Sequence, residues 1–127
     1  MFGFGKPTRE KLASKNEQAD WSGKDLSGLD LSGLTFEQTE FKGCNMQSVN
    51  ASKATFTQCE LTGSNLAGAN LSGATFEQCD MQNVNLTGAN VEGAKFEQTD
   101  LQNTTVAGAA RGNASFSQCD GVKDSDD

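Results

Sequence analysis

Residues 56–79 read FTQCELTGSNLAGANLSGATFEQC, in which a five-residue phrase recurs and the opening phrase returns after twenty residues. A helix rotates residues five apart by about 140°, and a strand turns them to opposite sides, so neither keeps a period of five on one face. Within each unit the inward residues stand two apart, as Ser64 and Leu66 do, which is the spacing of one side of a short extended segment. The phase resets every five residues, and this predicts a chain that bends at regular corners.

Glycine marks many of these corners. It falls two places after the central residue of a unit, as at Gly63, Gly68 and Gly73, where a turn with positive φ is accommodated. Four units complete a circuit of twenty residues, so the longer period predicts a four-sided coil. Successive coils would stack like the strands of a parallel sheet, about 4.8 Å apart. The central positions keep this phase from Trp21 to Gly121.

The phrases ANLSG, SNLAG, VNLTG and ANVEG resemble the A(D/N)LXX unit of the pentapeptide-repeat family. The resemblance covers about residues 19 to 121 in unbroken phase. It implies an all-β fold, a right-handed quadrilateral β-helix of about five 20-residue coils. It does not imply one function, because some members resemble DNA in shape and charge and inhibit or protect DNA gyrase, whereas most have no assigned activity.

One wall of the predicted coil carries phenylalanine at every turn, and each ring is followed by a frame such as FEQT or FEQC. A ligand groove is the alternative interpretation, but phenylalanine at an inward central position is usually core. We therefore expect a stacked core column of Phe36, Phe56, Phe76, Phe96 and Phe116. Glutamine replaces the corner glycine on this wall, which predicts a different turn geometry there and allows an amide ladder of Gln38, Gln58, Gln78, Gln98 and Gln118.

The two ends depart from the repeat, so we divide the chain into an N-terminal arm and capping helix (1–18), a solenoid (19–121) and an acidic tail (122–127). Residues 1–18 carry four basic and two acidic side chains in a protein of net charge −7. Thr8 is placed to cap a short helix over residues 9–18, with Leu12 covering the first coil. Phe2 and Phe4 have no place in the repeat; they belong either to a frayed terminus or to a hydrophobic arm that docks into a partner.

Acidic residues gather on either side of one corner. The positions before and after the phenylalanine-wall bend carry Glu37, Glu40, Glu60, Glu77, Asp80, Glu97, Asp100 and Asp120. Stacked like charges repel unless they are screened. The columns form either a solvating face that prevents aggregation or a docking surface for a basic partner, including a DNA-binding protein deceived by the charge.

The sequence offers little material for catalysis or metal binding. It has no histidine or tyrosine, no phosphate loop and no Cys-x-x-Cys pair, so we expect no enzyme activity, no cofactor and no zinc site. All four cysteines occupy the small inward position, which predicts buried free thiols. These residues are Cys44, Cys59, Cys79 and Cys119.

These features favour a non-enzymatic structural or protein-binding module, a rigid acidic rod anchored to a protein partner by its N-terminal arm. One alternative is a DNA mimic that binds or inhibits a type II topoisomerase such as gyrase, and another is a component of a phage particle or injection device. We expect no direct nucleic-acid binding and no membrane association. The sequence shows no spanning segment or cleavable signal pattern, which favours a cytoplasmic or virion-associated protein, either a monomer or part of a larger assembly.

Overall fold

The computed structural model describes residues 6–121, which form a β-solenoid preceded by one short helix. The first coil pairs with the second through four single bridges, and each later coil pairs with the next through one three-residue strand and three single bridges, which gives four paired sides per twenty residues. The strands are β1 (Thr35–Glu37), β2 (Thr55–Thr57), β3 (Thr75–Glu77), β4 (Lys95–Glu97) and β5 (Ser115–Ser117). They form one parallel sheet in chain order, β1 to β5. The predicted fold class is confirmed.

The register between coils is a shift of twenty residues everywhere. On the phenylalanine wall Phe36 pairs with Phe56 and Phe56 with Phe76, so four complete turns separate β1 from β5. On the neighbouring wall Leu61 N donates to Asp80 O at 2.7 Å, and Asp80 N donates to Cys59 O at 3.0 Å. Backbone groups in the interior of the rod are thus satisfied between coils, as burial requires.

Two kinds of corner join the walls. At a glycine corner Gly63 has φ +73°, and Ser64 N donates to Leu61 O at 3.0 Å, as in a β-turn with positive φ at its third residue. At the phenylalanine wall Gln58 takes the left-handed place instead, with φ +54°, and ends a strand. The different turn geometry expected there is present. The amide ladder proposed for Gln38, Gln58, Gln78, Gln98 and Gln118 is absent, because within residues 6–121 the one bond between glutamine side chains runs from Gln18 Nε2 to Gln38 Oε1 at 3.0 Å.

The core runs along the axis of the rod. The rings of Phe56, Phe76 and Phe96 stack with centroids 4.7 and 4.9 Å apart and planes within 4° of parallel. Phe36 continues the stack at one end and Phe116 at the other. Because coils one strand spacing apart hold the rings nearly at ring-stacking distance, the backbone repeat itself sets the aromatic packing.

The N-terminal end is closed by α1 (Arg9–Ser14). Thr8 is the N-cap, and its hydroxyl accepts from Lys11 N at 3.2 Å, while Leu12 is fully buried against the first coil. The helix ends four residues earlier than we expected. The backbone after it pairs with β1 instead, with Glu37 N donating to Asn16 O at 2.8 Å.

At the other end the inward residues are only partly buried. Val106 and Phe116 are half-buried, and the Arg111 guanidinium lies 5.1 Å from the centre of the Phe116 ring. The expected burial of the cysteines holds for Cys44, Cys59 and Cys79, and it is wrong for Cys119, which is half-buried in this last described coil. All four are free thiols.

Candidate functional site

The predicted acidic residues lie in two columns that flank the glutamine bend. The corner column contains Glu40, Glu60, Asp80, Asp100 and Asp120, and consecutive members form parallel bridges. The strand column contains Glu37, Glu77 and Glu97 on β1, β3 and β4, and Thr57 and Ser117 interrupt it on β2 and β5. Each column begins one coil earlier than we expected, since Asp20 and Glu17 bridge to Glu40 and Glu37.

The aspartates of the corner column have a structural role in addition to their charge. Asp80 Oδ1 accepts from Gln82 N at 3.1 Å, and Asp100 Oδ1 accepts from Gln102 N at 3.0 Å. Asparagines at the same place on another wall do the same, as Asn65 Oδ1 does for Ala67 N at 3.0 Å. The aspartates therefore stabilise the turn through a backbone hydrogen bond and also carry a negative charge. This structural role could have been found from the sequence, because Asp and Asn both recur at positions before central residues.

One lysine forms ion pairs in the N-terminal half of the corner column. Lys42 Nζ lies 3.0 Å from Glu40 Oε1 and 3.9 Å from Glu60 Oε1, and its hydrogen bond and charge attraction to Glu40 raise the pKa of Lys42. The ion pairs within residues 6–121 reach no acidic residue beyond Glu60 on this corner. We call the remaining cluster the acidic corner: Glu77, Asp80, Glu97, Asp100 and Asp120.

The basic N-terminal segment folds against the first coil, away from the acidic corner. Lys6 Nζ donates to the carbonyl and the hydroxyl of Ser27, both at 2.8 Å. Arg9 Nη1 donates to Asp30 O at 2.9 Å and lies 3.4 Å from its carboxylate. Phe2 and Phe4, the predicted arm residues, lie outside the described residues.

The aspartates of this first coil are held as anions by local donors. The hydroxyl and N–H of Ser27 lower the pKa of Asp25, with Oδ1 distances of 2.7 and 3.0 Å. The corresponding bonds from Ser22 and Ser32 lower the pKa of Asp20 and Asp30. A hydrogen bond to the charged form stabilises it, so the ionised form of these carboxylates is favoured in the folded protein.

The arrangement offers charge and shape to a ligand. Acidic side chains are repeated at one strand spacing along the solenoid. Within residues 6–121 there is no cluster of three or more His, Cys, Asp or Glu suited to a metal ion. Helix α1 has six residues, and nothing in the described range is a helix long and apolar enough to cross a bilayer.

Comparisons with known proteins agree with this geometry. A family model described as a pentapeptide repeat region matches residues 51–123, and a model described as pentapeptide repeats (8 copies) matches residues 17–47. A search of curated proteins found no match.

Two solved structures illustrate the likeness. A pentapeptide repeat protein from the Arabidopsis thaliana thylakoid lumen is 34% identical, with a TM-score of 0.73, over 76% of this chain and 68% of that one. QnrB1, a plasmid-mediated fluoroquinolone resistance protein, is 25% identical with a TM-score of 0.51, over 84% of this chain and 64% of that one.

Proposed function

Since the chain belongs to the pentapeptide-repeat family, we propose that it is a non-enzymatic protein-binding rod whose acidic corner docks a basic surface of a partner protein. The observation that carries the proposal is the asymmetry of the corner column. Lys42 pairs with Glu40 and Glu60 and offsets one of their two charges, whereas no ion pair within residues 6–121 reaches the acidic corner. Charge is left available at one end of one edge of the rod.

The spacing of these charges explains why a basic partner suits them. Glu77 and Glu97 are in register on β3 and β4, and Asp80 bridges to Asp100, so like charges stand about 4.8 Å apart along each column. Like charges directly opposite each other on neighbouring strands are destabilising. Lysines or arginines of a partner would relieve this repulsion, and they would speed association in a salt-dependent manner.

The N-terminal arm is the proposed second contact. The bonds from Lys6 to Ser27 fix the start of the described residues to the first coil, and Phe2 and Phe4 precede Lys6 in the sequence. Deleting residues 1–5 keeps Lys6, and with it the bonds to Ser27. We expect the shortened protein to retain the unfolding midpoint of the full chain and to lose partner binding, as measured by calorimetry with the purified partner. Unchanged affinity would remove the arm from the proposal.

Charge neutralisation tests the acidic corner directly. The variant replaces Glu77 and Glu97 by Gln and Asp80 and Asp100 by Asn. Because asparagine accepts the same backbone N–H at Asn65, the aspartate changes remove charge and keep the corner bond. A matched control neutralises four acids outside both columns, at Glu10, Asp25, Asp30 and Glu92.

Both variants and the wild type are used to capture partners from the native cell, and the captured protein is then purified and titrated. We expect the acidic-corner variant to lose the partner, the control to keep it, and wild-type affinity to fall with added salt. Equal capture by both variants would contradict the proposal and leave the columns as a solvating face.

A DNA mimic acting on a type II topoisomerase is the second candidate. It is favoured by the regular acidic columns and by the likeness to QnrB1, which is named as a fluoroquinolone resistance protein. Inhibition of gyrase supercoiling by the purified protein distinguishes it from the first proposal.

A further inference from the structure

The first coil of the solenoid has an open backbone edge on the wall of Asp20. In the second coil the equivalent residue, Glu40, uses both of its backbone groups: Glu40 N donates to Ala19 O at 2.9 Å, and Trp21 N donates to Glu40 O at 2.8 Å. Asp20 stands at the same position one coil earlier, so its N–H and C=O face the N-terminal side. Within residues 6–121 neither group has a hydrogen-bond partner. An exposed edge of this kind is a template for pairing with another strand.

The N-terminal cap covers other walls of the first coil. Lys6 Nζ donates to Ser27 O at 2.8 Å, and Arg9 Nη1 donates to Asp30 O at 2.9 Å. Residues 14–21 instead line a cleft of about 590 Å³. Ligand-binding clefts in proteins have volumes of about 300 to 1,000 Å³. The cap therefore leaves the open edge beside a cleft that is large enough for a ligand.

Trp21 provides the aromatic surface of this cleft. It packs against the core but is only half-buried, whereas the next central residues, Leu26, Leu31 and Phe36, are fully buried. Its indole N–H donates to Lys15 O at 3.2 Å, which holds the ring at the edge of the core. A strand added in the register of the later coils would place an inward side chain over this ring. An apolar side chain suits that place.

We propose that this edge binds an extended segment of a partner protein as an additional strand, with a basic residue beside Asp20 and an apolar residue over Trp21. Strand addition to an exposed sheet edge is a general mode of peptide recognition, in which main-chain hydrogen bonds supply affinity and alternate side chains supply specificity. A basic residue fits beside Asp20 because opposite charges at directly opposed strand positions are stabilising, whereas like charges are destabilising.

The other charges of the cleft limit the segment to one basic residue. Glu17 adds a second carboxylate to the lining, and Lys15 adds a positive charge. A single basic residue with apolar neighbours therefore matches the cleft better than a polybasic run. The site lies in the first coil and is separate from the acidic corner, which lies in later coils.

The test uses the full-length protein and a short capped peptide with valine, arginine and leucine at its centre. This order offers an apolar neighbour to Trp21 whether the added strand runs parallel or antiparallel to the first coil. The chain contains one tryptophan, so tryptophan fluorescence reports binding at the cleft. We expect a saturable change in this fluorescence and slower hydrogen exchange of the Asp20 N–H.

Matched peptides and a variant separate main-chain pairing from charge. N-methylation of the arginine and the leucine removes the donors that the Asp20 carbonyl would accept, and it should abolish binding although the charge is unchanged. Glutamate in place of the arginine should weaken binding by about 5-fold, and Asp20→Asn should weaken binding of the arginine peptide. The variant should fold, because asparagine keeps an oxygen for the bond that Asp20 Oδ1 accepts from Ser22 N at 2.9 Å.

The acidic-corner variant is the matched protein control, and it should bind the peptide like the wild type. The proposal is overturned if tryptophan fluorescence does not change at millimolar peptide, if the N-methylated peptide binds equally well, or if the acidic-corner variant loses the peptide. Deletion of residues 1–5 tests the chain's own N-terminal segment as the occupant. Stronger peptide binding by that shortened protein would assign the edge to this segment and overturn the proposal.

Discussion

Phe76 lies at the middle of the aromatic column, with Phe56 and Phe96 stacked 4.7 and 4.9 Å from it. Phe76→Ala would leave a cavity in a rod only one side chain deep from wall to axis, where neighbouring coils have little freedom to close in. We expect a loss of about 3 to 5 kcal/mol in the free energy of unfolding, measured by chemical denaturation. Phe116→Ala is the control, and it should cost less because Phe116 is only half-buried. A loss below about 1 kcal/mol for Phe76→Ala would contradict its role in the core.

Substitutions at a glycine corner and at a glutamine corner should differ in their cost to stability. Gly63 has φ +73° with open space where a Cβ would stand, so Gly63→Ala meets no clash but places an L-residue in the left-handed region. That conformation costs about 1 to 2 kcal/mol, so alanine should destabilise by about 1 kcal/mol after the gain from a stiffer unfolded chain. Gln78 is already at φ +55°, and Gln78→Gly should be nearly neutral because the two effects oppose each other. Denaturation of both variants measures this asymmetry, and equal losses would contradict it.

The four thiols should differ in their reactivity according to their burial. Cys44, Cys59 and Cys79 are buried, whereas Cys119 is half-buried. Burial also raises the pKa of Cys44, which removes the reactive thiolate. We expect a thiol reagent to modify one cysteine in the native protein and four in denaturant, with mass spectrometry locating the first at Cys119. Rapid native labelling of all four would show that the coils open more readily than their backbone bonding indicates.

At the scale of the element, the first coil is held by helix α1 and by serine-bonded aspartates. The pKa of Asp25 is lowered in the folded protein by Ser27, so its contribution to stability is present above its unfolded pKa and is lost as pH falls through the folded value. We expect the unfolding midpoint to fall on acidification. The midpoint should fall less in a triple variant with Asn at positions 20, 25 and 30. Asparagine keeps the oxygen that accepts the backbone N–H, and it does not titrate. The fluorescence of Trp21 follows the transition, and identical pH profiles would rule out this contribution.

At the scale of the whole molecule, the sequence predicted the fold because every five-residue unit places its inward residues and its corner residue at the same positions. The phase from Trp21 to Gly121 determined the coil, the corners and the facing of the phenylalanines, since a one-residue slip would turn the inward set outward. The ends were less predictable, because α1 competes with pairing to β1 for residues 15–18 and no repeat decides between them. The sequence also did not predict that the acidic residues of the corner column differ in whether a lysine pairs with them. It depends on how far Lys42 reaches across a coil, which spacing along the chain does not encode.

The spacing of its charges limits how well the molecule could imitate DNA. DNA presents a negative charge about every 3.4 Å along each strand, whereas the columns offer charges at about the 4.8 Å strand spacing, and Thr57 and Ser117 interrupt the strand column. Lys42 further neutralises part of the corner column. We therefore expect weak or no inhibition of gyrase supercoiling by the purified protein. The acidic-corner variant, with Glu77 and Glu97 as Gln and Asp80 and Asp100 as Asn, serves as the comparison. Strong inhibition by the wild type that this variant abolishes would rank the DNA mimic above the protein-binding rod, because it would show that the acidic corner itself acts on gyrase.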